Sequence, residues 1–293
     1  MALADLLQFV FSGLTVGAIY GLVAVGFNIV FNATGAVNFA QGEFAMLGGM
    51  LGAALLAATG LPLPVVIAVT IAAVTLIGVL LERLAINPAR HADVLNLIII
   101  TIGASIFLKG AVMVTLGKNA AGLPAFTGER PLHVLGATIL PQALWILGVA
   151  LAIMVVLQLF FTRTLVGKAM QAVAIDREAA RLVGIKVGRM VMLSFALGAA
   201  VGAVAGIIIT PMTLTIYDAG TMLGLKGFVA AVAGGFGNTF GGLAGGLLLG
   251  LLEALGGGLI ASEVKDVLAF VLLLFLLFFR PRGLFGRAES ERV

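Results

Sequence analysis

The sequence predicts an all-α, polytopic transmembrane bundle of about eight spans, some of them broken or re-entrant. Hydrophobic residues make up 61% of the 293 residues and charged residues only 10%, so a soluble globule could not hide its apolar surface. Uncharged runs of about 20 residues recur, which is the length that crosses the hydrocarbon core as a helix. We expect a single transmembrane domain over residues 1–293.

The spans follow from these runs in chain order. Five runs carry no charge and one carries only Lys109, and they cover residues 6–31, 63–81, 94–116, 135–161, 190–216 and 227–252. Backbone groups in lipid must bond internally, so each run predicts a helix. The shorter runs 45–58 and 267–279 predict broken, re-entrant or partly shielded spans.

Basic residues set the orientation. Residues 163–189 hold six of the seventeen Lys and Arg residues, the tail 280–293 holds four, and residues 1–5 hold none. Because short cytoplasmic loops are enriched in Lys and Arg, we expect the loop 163–189 and the tail to be cytoplasmic. Three apolar segments separate the loop from the tail. Because both are expected on the same side, the chain must cross an even number of times between them, so one of the three segments is re-entrant or split. If residues 35–60 cross the membrane fully, the N-terminus is outside; if they are re-entrant, it is inside. The lack of basic residues in 1–5 favours the outside.

Glycines recur every four residues in several spans, and this spacing places them on one helix face. The ladders are 13/17/21, 198/202/206, 237/241/245 and 242/246/250. Small residues let helices approach closely in lipid, so the ladders predict packing faces. A laddered span precedes a polar, glycine-rich segment twice, at 6–31 with 35–52 and at 190–211 with 217–242. We hypothesise an inverted repeat.

Polar side chains at membrane depth are the candidates for a translocation path, because they are costly there. Asn38, Gln41 and Glu43 open an otherwise apolar stretch. One interpretation is that these side chains face a water-filled path. The other is that they stabilise the start of the next helix, with Asn38 and Gln41 as caps and Glu43 in the first turn. Both can hold at once.

Lys226 holds the corresponding place in the second half of the proposed repeat. It either pairs with Glu43, binds with Glu43 the two ends of a zwitterionic solute, or extends to the membrane interface. Lys109 and Glu253 are further lone charges, which we expect to be interfacial or paired.

Several function classes find no support in the residues. The chain has no cysteine, so thiolate metal sites are excluded, and we predict no metal site and no catalytic residues. Gly167-Lys168 lacks the other glycine and the Ser or Thr of a phosphate loop, so we expect no ATP hydrolysis by this chain. The basic residues cluster by membrane side, which indicates topology rather than a nucleic-acid partner.

Within the basic loop, residues 171–182 predict a short amphipathic helix flanked by Gly167 and Gly184. Such a helix either rests on anionic lipid headgroups or inserts into a groove on a soluble partner. The stretch Glu178-Ala179-Ala180, followed after three residues by Gly184, resembles the EAA-x3-G core of the loop by which ABC importer permeases dock onto ATPase subunits.

The whole chain resembles the Liv-type permeases of branched-chain amino acid ABC importers. Three ordered blocks carry the resemblance: GAIYGLVAVGFNIVFNATGAVNFAQGEFAMLGG, VAIDREAARLVGI and RPRGLFGR. The resemblance implies a bacterial inner-membrane permease that pairs with a second related permease or a copy of itself, two ATP-binding subunits that hold ATP and Mg²⁺, and an extracytoplasmic solute-binding protein. The residues it assigns to ATPase coupling are Gly167, Lys168, Asp176, Arg177, Glu178, Ala179, Ala180 and Gly184.

The resemblance implies import of Leu, Ile, Val or a related small solute by alternating access. Relatives in the broad family carry urea, short amides or simple sugars, so the solute stays open. The Leu-Pro that follows this core in many importer permeases is missing after Gly184, which leaves the docking geometry open. Two rivals remain: an ion-coupled secondary transporter using Glu43, Lys226 and Lys109, and a passive channel.

Overall fold

The computed structural model describes residues 3–89, 92–128, 130–134, 136–259, 261, 264–280 and 283–286. Seven helices in this part of the chain are long and apolar enough to cross a membrane. The helices, in chain order, are α1 (Leu3–Thr34), α2 (Gln41–Thr59), α3 (Leu63–Leu81), α4 (Val94–Thr115), α5 (Pro141–Arg163), α6 (Leu165–Ile175), α7 (Arg177–Leu182), α8 (Val187–Thr213), α9 (Ala219–Gly234), α10 (Thr239–Leu259) and α11 (Val264–Phe279). A π-helical segment, Glu82–Ile86, extends α3, and two short strands, β1 (Leu132–Val134) and β2 (Ala137–Ile139), form an antiparallel hairpin. The predicted helical bundle is confirmed.

Helix α1 is the centre of the bundle, and glycine ladders join it to α10. A Cβ atom on Gly13 would lie 2.8 Å from the carbonyl oxygen of Gly250, and one on Gly17 would lie 2.7 Å from that of Gly246. The ladder of α8 faces α2 instead, where a Cβ on Gly202 would lie 2.8 Å from Phe44. The ladders 13/17/21, 198/202/206 and 242/246/250 are therefore packing faces at which side chains have no room. The predicted ladder 237/241/245 is interrupted, because Gly237, at φ +86°, precedes the start of α10.

The two ends of α1 lie on opposite sides of the bundle. Near its start, Gln8 Oε1 accepts a hydrogen bond of 2.7 Å from the Thr138 amide in the hairpin. At its end, the Ala33 carbonyl accepts a bond of 2.5 Å from Arg177 in the basic loop. With the basic loop cytoplasmic, the described start of α1 is on the outer side, as the charge pattern favoured. The hairpin also corrects the run 135–161, of which only the part from Pro141 is helical.

The polar segment after α1 crosses the membrane in two pieces. Gly35, at φ +68°, ends α1, and residues 35–40 form no helix before α2 begins at Gln41. Helix α2 ends at Thr59, next to the start of α3 on the outer side. The segment 35–60 is therefore a full crossing whose cytoplasmic part is not helical.

One prediction about the second half is wrong: residues 227–252 are not one helix. The structure breaks them between α9 and α10, where Gly235 and Gly237 adopt φ +98° and +86°. Asn28 accepts from the Gly237 amide at 3.1 Å and donates to the Asn238 carbonyl at 2.9 Å, so α1 holds the break. The segment is split, which is one of the two arrangements that the topology requires.

The tail covers the end of α9 on the cytoplasmic side. Within the described part of the tail, the Leu284 amide donates to Ala233 at 2.8 Å and the Phe285 amide donates to Gly234 at 3.1 Å. These bonds occupy carbonyls that a helix end leaves without intrahelical partners. Residues 281, 282 and 287–293 of the predicted tail lie outside the described residues.

The outermost helices present apolar surface. Only 17% of the most apolar window of α4 is buried, against 83% for α1, and Ile106, Phe107 and Val114 are each more than two-thirds exposed. Such surface is compatible with lipid or another membrane helix, and not with water. The order of α1, break, α2 and of α8, break, α9, with α1 and α8 running in opposite directions, agrees with the hypothesised inverted repeat.

Candidate functional site

The start of α2 lies inside the membrane layer. The Ser105 hydroxyl donates to Glu43 Oε1 at 2.9 Å. Ser105 is eleven residues into α4, about 16 Å along a helix about 33 Å long, so Glu43 is near mid-depth. Because an α-helix N-terminus carries a partial positive charge, this end of α2 favours negative groups. Glu43 in the first turn of α2 is such a group.

Gln41 and Asn38 both hold the chain at this point. Gln41 is fully buried and its Nε2 donates to the Gly198 carbonyl of α8 at 2.9 Å. Asn38 Oδ1 accepts from the Ala40 amide at 3.1 Å, in the turn that precedes α2. Neither side chain forms the N-cap hydrogen bond of α2, since the residue at that position is Ala40. Asn38 therefore shapes the approach to the helix, and Gln41 joins α2 to α8.

Glu43 is buried beside the start of α9. Its side chain is 1% exposed, and its Oε2 has no hydrogen-bond partner among the described residues. Gly220 of α9 faces it, so the absence of a side chain there leaves space for the carboxylate. Lys109 and Asp218 are the charged groups that act on Glu43 electrostatically. A buried carboxylate oxygen without a hydrogen-bond partner is costly, and Asp218 Oδ1 is a second such oxygen among the described residues.

Lys226 does not meet Glu43, so the alternative in which these two residues pair is wrong. Its Nζ lies 3.1 Å from Glu253 Oε1 on α10, and Tyr20 of α1 donates to Glu253 Oε2 at 3.0 Å. Gly220 and Gly224 turn one face of α9 toward α2, and Lys226, two residues beyond Gly224, is about 200° around the helix. The rotation of α9 therefore carries Lys226 to α10.

Ser105, Asp218, Tyr217 and Thr221 join Glu43 and Lys109 in a cluster that we name the polar crossing. Lys109 Nζ lies 3.5 Å from Thr221 Oγ1 and 5.9 Å from the centre of the Tyr217 ring. Ser105, Asp218, Tyr217 and Thr221 were not among the predicted site residues. Asp218 and Tyr217 begin the polar segment 217–242, which was a usable signal, whereas nothing local marks Ser105.

The basic loop is two helices rather than the one predicted over 171–182. Asp176 adopts φ −155°, outside helical geometry, and separates α6 from α7. Its Oδ1 accepts from the amides of Glu178 at 2.9 Å and Ala179 at 3.0 Å, which is the bonding of an N-cap residue. Gly184, at φ +85°, follows the end of α7. Gly167 lies inside α6 and does not flank it.

The coupling residues assigned by resemblance divide into buried and exposed groups. Gly167 is buried, since a Cβ there would lie 2.6 Å from the Phe161 Cα, and Ala180 packs with Val173 and Val187. Lys168, Glu178 and Ala179 are exposed. The last apolar residues of the loop are also exposed, with Leu182 at 89% and Val183 at 76%.

Arg177 links the loop to α1. Its Nη2 donates to the Ala33 carbonyl at 2.5 Å, at the end of α1 where carbonyls lack helical partners and the dipole favours a cation. Burial and, after it, the nearby Arg181 charge lower the pKa of the Arg177 guanidinium, which remains protonated at neutral pH. By contrast, Glu178 and Arg181 form a salt bridge of 2.6 Å that is exposed to solvent.

A cavity of about 480 Å³ lies between this loop and the break after α9. Its lining combines carboxamides with aromatic rings, among them Asn32, Gln171, Asn238 and Phe236. Asn32 donates to the Gly237 carbonyl at 2.9 Å, so the same residue lines the cavity and holds the break. No group of three or more potential metal ligands occurs in the part of the chain that the structure describes.

Comparisons with known proteins agree on one class. A family model described as branched-chain amino acid transport system, permease component, matches residues 9–277. The high-affinity branched-chain amino acid transport system permease protein BraD of Pseudomonas aeruginosa is 37% identical over 302 residues, covering 98% of each chain. The permease protein LivH of Escherichia coli K12 is 36% identical over 98% of this chain and 97% of that protein.

One similar solved structure, PsaBC from Streptococcus pneumoniae in complex with Fab, covers 94% of this chain and 93% of that chain with a TM-score of 0.53. Its identity is 14%, so it supports the fold alone.

Proposed function

The chain belongs to the family of branched-chain amino acid transport system permease components, and from this premise we propose how it works with its partners. It is a multi-pass membrane protein and a permease of the ABC importer class. We propose that it lies in a bacterial inner membrane and imports Leu, Ile, Val or a related small solute. Its partners are a second permease chain or a copy of itself, two ATPase subunits and a solute-binding protein.

ATP and Mg²⁺ are bound by the ATPase subunits in this proposal. The permease relatives are transport subunits rather than enzymes, and the comparisons support the importer and not an ion-coupled secondary transporter. The buried lysine that such a transporter was expected to use, Lys226, is engaged by Glu253. The coupling unit, defined as α6, α7 and residues 183–184, is the part of the permease that contacts an ATPase subunit.

The observation that carries this proposal is the Arg177 bond to the end of α1. The exposed edge of the coupling unit, with Glu178, Leu182 and Val183, is available to a cytoplasmic partner. Its buried edge is joined through Arg177 to Ala33, two residues before Gly35 and the non-helical segment that leads to α2. A displacement of the coupling unit by an ATPase subunit therefore acts directly on the chain that positions Glu43.

The missing Leu-Pro after Gly184 bears on how the docking surface is built. The amide of Gly184 donates to the Arg181 carbonyl at 3.0 Å and the amide of Ile185 donates to the Ala180 carbonyl at 3.0 Å, which closes α7 without a proline. Apolar side chains at the end of α7 then supply the contact area. We propose that Leu182 and Val183 enter an apolar groove of the ATPase subunit, with Glu178 at its polar rim.

Replacing Leu182 with Arg tests this docking role. An Arg in the apolar part of the interface stays uncompensated on binding, so we expect the Leu182→Arg permease to be inserted normally and to lose copurification with its ATPase subunits, together with uptake. The matched control is Leu132→Arg, at an exposed leucine of the outer hairpin, which should retain the complex. Normal copurification and uptake by Leu182→Arg would contradict the docking surface.

A further inference from the structure

Two helix N-termini meet within the membrane layer at the polar crossing. A Cβ atom on Gly42 of α2 would lie 2.6 Å from the Gly224 Cα of α9 and would also meet the Gly220 carbonyl, so the first turn of α2 packs backbone to backbone against the first two turns of α9. Helices of 19 and 16 residues each place a partial positive charge here. Helix ends that face each other inside a membrane favour the binding of a polar solute over packing with lipid.

The same place holds carboxylate oxygens that lack partners. Glu43 Oε2 and Asp218 Oδ1 are both buried and accept no hydrogen bond from the described residues. The side chain of Glu43 is 99% inaccessible, and its other oxygen is held by Ser105 in a fixed direction. Leaving a buried acceptor unbonded typically costs about 1–3 kcal/mol. A ligand with several N–H donors in a small volume would satisfy both oxygens.

Lys109 supplies the opposite charge on the open side of the crossing. It is half-buried on α4, and four residues further along this helix than Ser105, which is about 6 Å. Its ammonium carries three donors, of which Thr221 accepts one at the long distance of 3.5 Å. Ser105, which holds Glu43, and Lys109 are therefore about one helical turn apart on the same helix.

We propose that the polar crossing is a transient binding site for the zwitterionic head of an α-amino acid. The ammonium is bound by Glu43 and Asp218, and the carboxylate is bound by Lys109 and Thr221. An aliphatic side chain would lie against Tyr217 and Leu108, which pack on the apolar cluster around Met46 and Met50. This inference rests on the proposed import function and specifies the solute chemistry that the permease itself recognises.

A metal cation is a less suitable occupant than an ammonium group. Within the described ranges, Glu43 and Asp218 have no third acidic or histidine side chain with which to form a metal-ligand group. A sugar, urea or an amide has no net charge at either end, and would not require both a carboxylate pair and a lysine. The combination of charges therefore favours an amino acid over the other solutes that the family resemblance left open.

Thermal unfolding of the purified permease–ATPase complex tests the site without transport. We expect leucine at millimolar concentration to raise the melting temperature, and 4-methyl-2-oxopentanoate, which lacks the ammonium, to leave it unchanged. Leucinamide, which lacks the carboxylate, should be weaker than leucine. The Glu43→Gln and Asp218→Asn variants should each lose at least about tenfold in leucine affinity, and Lys109→Met should no longer distinguish leucine from leucinamide.

The control is Thr70→Val on α3, away from the polar crossing. It removes a buried hydroxyl that, like the two carboxylate oxygens, has no hydrogen-bond partner among the described residues. Its response to leucine should match that of the unchanged chain. Equal stabilisation by 4-methyl-2-oxopentanoate, an undiminished leucine response in Glu43→Gln and Asp218→Asn, or no leucine response in the unchanged complex would overturn the proposal. Stabilisation by Na⁺ instead of leucine would also overturn it, in favour of a cation site.

Failure of this site and failure of the importer function give different results. If the permease does not work with ATPase subunits, no complex is recovered and ATP hydrolysis does not respond to the solute-binding protein. If only the zwitterion site is wrong, the complex forms, hydrolysis responds, and the carboxylate variants retain leucine uptake. A variant that binds the ATPase and hydrolyses ATP but has lost at least about tenfold in uptake supports the site.

Discussion

Two groups of buried charge lie in the membrane part of the bundle, and they differ in whether their atoms have partners. In the first, Lys226 and Glu253 lie 3.1 Å apart and Tyr20 donates to the same carboxylate. In the second, the polar crossing, Glu43 and Asp218 each keep an oxygen without a partner. The satisfied group joins α1, α9 and α10 into one unit, whereas the unsatisfied group is where we propose that a solute binds.

The comparison shows that buried charge by itself does not indicate function. Both groups contain a carboxylate and a lysine at membrane depth, and sequence reasoning placed Glu43 and Lys226 together as one site. Bonding separates them, because a fully bonded network stabilises one arrangement while an incomplete one leaves a free-energy gain for a ligand.

The largest effect should follow from breaking the satisfied pair. We expect Glu253→Ala to lower the free energy of unfolding by about 3–5 kcal/mol, because it leaves the Lys226 charge buried without its carboxylate. The double variant Lys226→Met/Glu253→Leu should recover most of this loss. Denaturant unfolding in detergent measures both, with Tyr20→Phe as the milder control. Additive losses in the double variant would contradict the role of the pair.

An intermediate effect should come from Arg177, whose hydrogen bond joins the proposed coupling unit to the end of α1. Arg177→Met removes a charged hydrogen bond to Ala33, of a kind that contributes about 1.5–3 kcal/mol. We expect ATP hydrolysis to continue and the solute imported per ATP to fall by about tenfold, within the range of coupling free energies. Reconstituted vesicles measure this ratio.

Arg181→Met is the matched control for Arg177. Its exposed salt bridge with Glu178 contributes at most about 1 kcal/mol, so the ratio should be nearly unchanged. Equal ratios in the two variants would remove Arg177 from the transmission route.

The smallest effect on stability should come from the unsatisfied group. Glu43→Gln keeps an oxygen for Ser105 and removes a buried charge, so we expect the free energy of unfolding to stay within about 1 kcal/mol of the unchanged chain. The same unfolding assay with Glu253→Gln as a matched carboxylate control should show a larger loss. If Glu43→Gln is as destabilised as Glu253→Gln, the two groups do not differ as the comparison requires.

Local sequence signals predicted most helices and the main packing faces. The run 63–81 coincides with α3, and the ladders that lie within α1, α8 and α10 face neighbouring helices as their spacing indicated. The break at Asp176 was also accessible to local reasoning, because Asp is a preferred N-cap residue and Glu178 places a negative charge in the first turn that follows. The prediction of one helix over 171–182 was wrong because it relied on the amphipathic periodicity of the stretch and overlooked Asp176 as an N-cap residue.

The composition, the run lengths and the basic loops by themselves predicted a polytopic helical membrane protein and the side of the membrane on which its basic loop lies. These properties depend on the composition of short stretches of neighbouring residues, so they can be predicted from the sequence without knowing which helices pack together. Only the tertiary structure decided that Lys226 meets Glu253, that Asn28 of α1 holds the break within residues 227–252, and that Ser105 and Asp218 join Glu43. Each depends on how far a helix is rotated about its axis, which packing against distant helices sets.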